Sequence, residues 1–256
     1  MNKKVFLEGI CLNGGFSRLE ISPARKVIFK SHKNEAQLRI PLNIEDCSVE
    51  NHTITIGRKQ KIRVVEHLFS ALYGLYIFNI EINVRGNEIP FFDGSSHDFV
   101  KVLSDFAGKN DLELLNTQKR ISVQSGDSFI TYEPLSNSEL FIDMELNHPY
   151  IGSQRIALKI TPENYVKQIA SARTFVFTDE SDPRLKNLPP YGIGITAKGI
   201  YSAKPLRFHD EPVRHKILDL LGDIYILQKK IAGKITARNT SHYLNLRFVR
   251  ELSNAF

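Results

Sequence analysis

His215, Asp219 and Asp223 recur at every fourth position of the leucine-rich segment VRHKILDLLGD, residues 213–223, and so share one face of a helix. A His and an Asp at i, i+4 can converge on one metal ion, as ligand pairs do on zinc-binding helices. Most His-x-x-x-Asp spacings are instead a solvated helix face or a plain hydrogen bond. Asp223 tilts the balance, because stacked carboxylates repel unless a cation or a donor sits among them.

The segment VEHLFSALYG (65–74) has the frame of VRHKILDLLG (213–222): Val-x-His, with Gly seven residues beyond the histidine. If the two are copies, a pseudo-twofold arrangement brings His67 and His215 to one ion. His67, His215 and Asp219 are then three protein ligands with a fourth position left for water, as in catalytic rather than structural zinc sites. Activated water needs a carboxylate to take its proton, and Glu66 beside His67 is the candidate. Taken singly, His67 reads as a core or edge histidine and Glu66 as a surface glutamate. His242, in SHYLNLRF, falls at the start of a predicted helix, where its positive charge opposes the dipole; contact with Asp223 would offset that cost. His148 reads as a turn residue before Pro149, and His32, His52, His97 and His209 carry no chemical signal.

Such residues need a scaffold to bring them together. The first third alternates like half-buried strands (KVFLEGICL, SRLEIS, KVIFKS, LRIPLN, HTITIG), followed by the helix VEHLFSALYGLY, the strand FNIEINVR and the helix SHDFVKVLSDFAG, capped by Ser95 or Ser96. After the polar segment NDLELLNTQKR the pattern restarts with KRISVQS, SFITYEP, ELFIDMELN and QRIALKIT. Next come the helix PENYVKQIASA, a Pro- and Gly-bearing stretch (181–212), the helix carrying His215, the strand KITARNT and a final helix beginning near Ser241. This predicts an α+β fold of two similar halves, residues 1–115 and 116–256, each a mainly antiparallel sheet with helices on one face.

The chain has 256 residues, a formal charge of +6 and a pI near 9.2, which suits an anionic partner such as a phosphorylated metabolite, nucleic acid or membrane surface. Two cysteines are too few for a disulfide scaffold. The N-terminus lacks a signal-peptide pattern and no apolar run reaches 18 residues, so a cytoplasmic protein without a membrane span is expected. Glycine-rich nucleotide loops and a Gly-x-Ser-x-Gly elbow are absent. Short basic clusters such as GRKQKIR (57–63) read as solvated loops.

Taken in order, VEHLFSAL, GNEIPFFDGSS, ARTFVF, RFHDEPVRHKILDLLGD and SHYLN resemble the UDP-3-O-acyl-N-acetylglucosamine deacetylases of lipid A biosynthesis. The resemblance implies helices sandwiched between two sheets, with the active site at the junction of the halves. It places zinc ligands at His67, His215 and Asp219, the general base at Glu66 and the general acid at His242. Asp223 would orient that histidine, Thr174 would help stabilise the oxyanion, and Phe175 and Lys216 would line the substrate site. Zinc is the implied ion, and iron(II) suits the same nitrogen and oxygen ligands. The implied partner is a small-molecule UDP-sugar bearing an acyl chain, with no nucleic acid and no membrane span; peripheral membrane contact is compatible with it. Asn13 stands where the family has a substrate-side histidine, Arg63-Val64 where it favours Ser/Thr-Thr, and the stretch before RHK is shorter. Those differences leave room for a deacetylase of another N-acetylated sugar nucleotide or glycan. A basic RNA-binding module is disfavoured by dispersed charge without aromatic interleaving.

Overall fold

A computed structural model describes residues 4–33, 36–107, 113–115, 117–187 and 192–255. Of the segment read as a polar linker, residues 110–112 and 116 lie outside this set, and the 115/116 boundary falls there. Residues 188–191 of the Pro- and Gly-bearing stretch lie outside it too.

The alternating segments form two five-stranded sheets. Across the first, the order is Val5–Ile10, Phe16–Pro23, Ile80–Arg85, Ile28–Lys33 and Ala36–Ile40. Across the second it is Ile121–Ser125, Ser128–Glu133, Gly233–Arg238, Leu140–His148 and Gly152–Ile160. Both sheets therefore consist of two hairpins with a late strand inserted between them. In each, that strand runs antiparallel to the first hairpin and parallel to the second. Identical strand order and direction in both is far more specific than a shared Val-x-His, and it bears out the expected α+β fold of two similar halves.

Among the described residues five α-helices accompany the sheets: α1 (Glu66–Gly74), α2 (His97–Leu103), α3 (Pro162–Gln168), α4 (Glu211–Ile224) and α5 (His242–Asn254). In each half one helix leads directly toward the inserted strand (α1, α4) and one follows it (α2, α5), and the second half carries α3 in addition. Those following helices both open on Ser-His, at Ser96-His97 and Ser241-His242, a second echo of the repeat. Apolar side chains facing inward from the first sheet (Leu19, Ile21, Ile82) and the second (Ile130, Ile142, Ile235) share one core with Leu68, Leu72, Leu218 and Leu221 of α1 and α4. Every residue of α1 is buried, as expected for a helix covered on all sides.

The glycines of the repeat have a packing reason. A Cβ at Gly74 would lie 2.2 Å from the Tyr165 ring, and one at Gly222 would lie 2.2 Å from the Glu66 backbone. Only a missing side chain allows these approaches.

Two smaller three-stranded sheets interrupt the halves at matching places in the order. Cys47–Glu50, Thr53–Ile56 and Ile62–Arg63 precede α1, while Phe175–Phe177, Ile193–Thr196 and Gly199–Tyr201 precede α4. GRKQKIR is thus partly strand rather than all solvated loop, and Arg63 pairs with the buried carboxylate of Glu88 at 3.3 Å. Part of 181–212 is likewise strand. No helix among the described residues is long and apolar enough to cross a membrane.

Candidate active site

Between the strand Ile62–Arg63 and α1 the chain turns sharply. Val64 adopts φ +60°, a conformation that β-branched residues avoid. It is held there by a short ladder: Arg63 N–H donates to Asn87 O (3.0 Å) and Ile89 N–H to Arg63 O (2.9 Å). This turn delivers Glu66 and His67 as the first two residues of α1, both buried. On α4, Pro212 occupies the first turn, where its missing N–H costs nothing, and His215 and Asp219 lie one turn apart.

α1 and α4 bring one donor atom each from His67, His215 and Asp219 to within 4.8 Å of one another, all three residues buried. The two imidazole centroids are 5.2 Å apart and nearly perpendicular. His215 Nδ1 is 3.0 Å from the carbonyl oxygen of Ala172, which leaves Nε2 facing Asp219 Oδ1 at 3.2 Å. That carbonyl fixes ring orientation, as outer partners of metal-bound histidines commonly do. His67 Nδ1 is buried without a hydrogen-bond partner, an unmet demand in a packed interior.

Electrostatics favour the ligand forms. Burial, with the neighbouring His215 in second place, pushes His67 down to about 3, so the ring is neutral. Burial works against ionised Asp219, yet His215 and Lys216 outweigh it and hold the carboxyl well below its usual range. The neutral His67 ring, the His215 ring and the Asp219 carboxylate form a donor set that can hold a divalent metal such as zinc or iron(II). The geometry and the orphaned nitrogen fit that use.

Around this cluster lie the other residues singled out. Glu66 Oε2 accepts the Ile54 N–H at 3.0 Å, and burial raises its carboxyl to about 7. His242, in the first turn of α5, sets Nδ1 2.7 Å from Asp223 Oδ2, with Nε2 4.0 Å from Asp219 Oδ1. Burial alone would lower this imidazole, but Asp223 and Asp219 reverse the effect and raise it to about 9. Asp223 is wholly buried, with its pKa raised by that burial. The same Oδ2 also accepts from Asn245 Nδ2 at 2.8 Å. Lys216 Nζ is 3.1 Å from Asp219 Oδ2 and 5.3 Å from the centre of the Phe175 ring. Thr174 hydrogen-bonds through its backbone to Gly94 O (2.8 Å) and Ile193 N (2.9 Å).

Glu66, His67, Thr174, Phe175, His215, Lys216, Asp219 and His242 all line one cavity of about 800 Å³; Asp223 stands behind His242. Much of the wall is apolar, including Leu12, Leu146, Val176, Phe177 and Ile193. Asn13 does not face the cavity. Its Oδ1 accepts the Gly15 N–H at 2.8 Å within its own turn, and Leu12 takes the wall position.

Several wall residues had no usable signal in the sequence. His148 does serve its turn, with Nδ1 accepting from Tyr150 N at 3.3 Å, but it also stacks on Phe177 with centroids 3.6 Å apart and lines the cavity. His52, at φ +63° in a hairpin turn, lines it as well. Both reach the cavity through long-range packing. The resemblance could have flagged Asn245, since it ends the motif SHYLN.

Known proteins match this chain along nearly its whole length. The family described as UDP-3-O-acyl N-acetylglycosamine deacetylase (LpxC) matches residues 1–254. A protein named UDP-3-O-acyl-N-acetylglucosamine deacetylase from Campylobacter hominis is 34% identical over 257 residues, spanning 95% of this chain and 87% of its own length. Its namesake from Sulfurimonas denitrificans is 33% identical over 268 residues, spanning 98% and 90% respectively. Another, from Geotalea uraniireducens, is 30% identical over 266 residues, spanning 98% and 87%.

Proposed function

The chain belongs to the UDP-3-O-acyl N-acetylglycosamine deacetylase family of hydrolytic enzymes, and we propose that it removes the N-acetyl group from UDP-3-O-acyl-N-acetylglucosamine in lipid A biosynthesis, acting with a bound divalent metal. One observation carries the reading: the buried His67, His215 and Asp219 converge at a cavity whose wall is largely apolar. The donor set suits zinc, and the apolar wall suits a substrate bearing an acyl chain. That wall favours the acylated sugar nucleotide over an unacylated N-acetylated sugar. We place the protein in the cytoplasm, where a UDP-sugar is available.

A zinc ion, when bound, supplies Lewis acidity toward the acetamide carbonyl and toward water. His67, His215 and Asp219 would hold it. Glu66 accepts a proton from the attacking water; its buried position keeps the carboxylate basic enough to do so. Attack leaves a tetrahedral oxyanion, and Thr174 of the cavity wall would help stabilise its charge. His242, held protonated by Asp223, donates to the departing amine nitrogen as the carbon–nitrogen bond breaks. Acetate and the free amine result. Phe175 and Lys216 bound the substrate side, the Lys216 ammonium standing over the Phe175 ring.

Acetate release tests the reading: the acylated and unacylated UDP-N-acetylglucosamines are assayed with metal-stripped and zinc-reloaded protein. Release that needs zinc and strongly prefers the acylated substrate is expected. Equal turnover of both would sink the substrate assignment, and turnover indifferent to stripping would sink the metal.

A further inference from the structure

The two imidazoles of the site come from different halves of the chain, so whatever keeps the halves in register also sets their separation. Five consecutive residues of the second half, 170–174, each commit a polar group here, Ala170 and Thr174 to the first half and the three between them to their own. Ala170 O accepts the Ser96 N–H (2.9 Å), and the Ser96 hydroxyl donates to the carbonyl of His67 (2.8 Å). Ala172 O faces the His215 ring, and Thr174 N–H donates to Gly94 O. Arg173, wholly buried, pairs with Glu211 (Nε to Oε1, 2.9 Å), which lies one helical turn before His215. The strap thus reaches His67 through Ser96 and reaches His215 directly.

Arg207 closes this arrangement from outside. Its Nη1 donates to Ser171 O on the strap (2.8 Å) and to Ser95 Oγ (3.4 Å), while Nη2 donates to Asp93 Oδ2 of the first half at 2.5 Å. Asp93 in turn accepts the N–H and hydroxyl of Ser95, at 3.0 and 2.6 Å, which shapes the loop leading to Ser96. The Arg207 backbone N–H donates to Glu211 Oε2 (2.8 Å), tying it to α4 as well. A planar guanidinium holds its donors in a rigid fork that fits a carboxylate and a carbonyl together, whereas a lysine offers a compact point charge on a flexible stem. The side chain is 30% exposed, so its place is not one of core packing.

We propose that Arg207 is a positioning residue: by clasping Asp93 of the first half to the 170–174 strap of the second, it fixes the distance between His67 and His215. The proposal rests on the reading of those histidines as metal ligands. Metal affinity then depends on a residue that touches neither metal nor substrate.

The test titrates zinc into the metal-stripped full chain against a competing chelator, with cobalt(II) substitution as a spectroscopic reporter of coordination geometry. Arg207→Met should raise the zinc Kd about 10- to 100-fold, in the range typical of outer-shell partners, and alter the visible cobalt bands. Asp93→Asn should act in the same direction. The double variant should fall short of the sum of the two, because both remove one clasp. Arg207→Lys, which restores charge but not the fork, should recover part of the affinity, and it keeps the test available if the methionine variant misfolds. Wild-type zinc affinity and an unchanged cobalt spectrum in folded Arg207→Met or Asp93→Asn protein would overturn the clasp. A wild type that takes up no zinc would instead overturn the ligand assignment, and the clasp's role with it.

Discussion

A methyl group on Gly222 of α4 would lie 2.2 Å from the carbonyl oxygen of Glu66 on α1. The two site-bearing helices therefore meet backbone to backbone, immediately beside the proposed base. Gly222→Ala must push them apart, which should cost about 1–3 kcal/mol as overpacking. Turnover measured well below the melting temperature should fall too, because Glu66 moves. Gly74→Ala, which meets the Tyr165 ring instead, should destabilise while sparing turnover at low temperature. Equal activity in both variants would show that the Gly222 contact does not position Glu66.

Glu66→Gln keeps an oxygen to accept the Ile54 N–H but removes the base. Acetate release should drop roughly 100- to 10,000-fold. Bound zinc, measured by metal analysis, should stay at the wild-type level, since Glu66 is outside the proposed ligand set. Near-normal turnover would refute the role.

Removing the metal should do more than stop catalysis. It leaves Asp219 buried with only His215, Lys216 and the more distant His242 around it, so the stripped protein should melt earlier. Restoring zinc to about 100 times its Kd should return about 2.7 kcal/mol of stability. A calorimetric scan with and without zinc measures this directly, and coincident transitions would argue against binding at the folded site.

The pH dependence has two parts. In the metal-free protein, His242 is raised from 6.5 to about 9, so its stabilising contribution is complete below pH 6.5 and disappears as pH rises through 9. Glu66, raised from 4.5 to about 7, adds a loss in the same direction at lower pH, complete once pH passes about 7. Melting temperature should therefore fall between pH 6.5 and 9, and His242→Gln should flatten that segment.

In the loaded enzyme, kcat/KM should rise as Glu66 ionises and fall as His242 loses its proton, giving a bell. A bound cation favours the charged carboxylate and the neutral imidazole, so both limbs should lie below 7 and 9 respectively. A profile with a single limb would exclude paired acid and base.

Much of this site could be read from spacing because its parts are local. The stripe on α4 and the adjacent Glu66 and His67 are short-range patterns on helices, and helix faces follow from periodicity. The strand segments were equally legible, since alternation marks them one at a time. Sheet order was not: inserting Ile80–Arg85 between two earlier hairpins is a long-range choice that no local pattern encodes. The Ala172 carbonyl on His215, the Ser96 hydroxyl on the His67 carbonyl and the turn of Asn13 onto Gly15 involve backbone atoms, which every residue possesses. His148 and His52 carry only turn signals in the sequence, and their place in the cavity wall depends on long-range packing.

The internal repeat has one further implication. A perfectly twofold site would present the same side chain on both sides of the cavity, and only the charge each group sets on the other would tell the two apart. Here the copies have diverged at the positions flanking their shared histidines. Glu66 in the first half corresponds to Arg214 in the second, and Asp219 in the second corresponds to Ala71 in the first. Of the paired Ser-His helix starts, His242 lies against the buried Asp223, whereas His97 is not part of the cavity wall. The repeat places one imidazole of the pair in each half, and the loss of symmetry around them sets the proposed base Glu66 apart from the proposed acid His242.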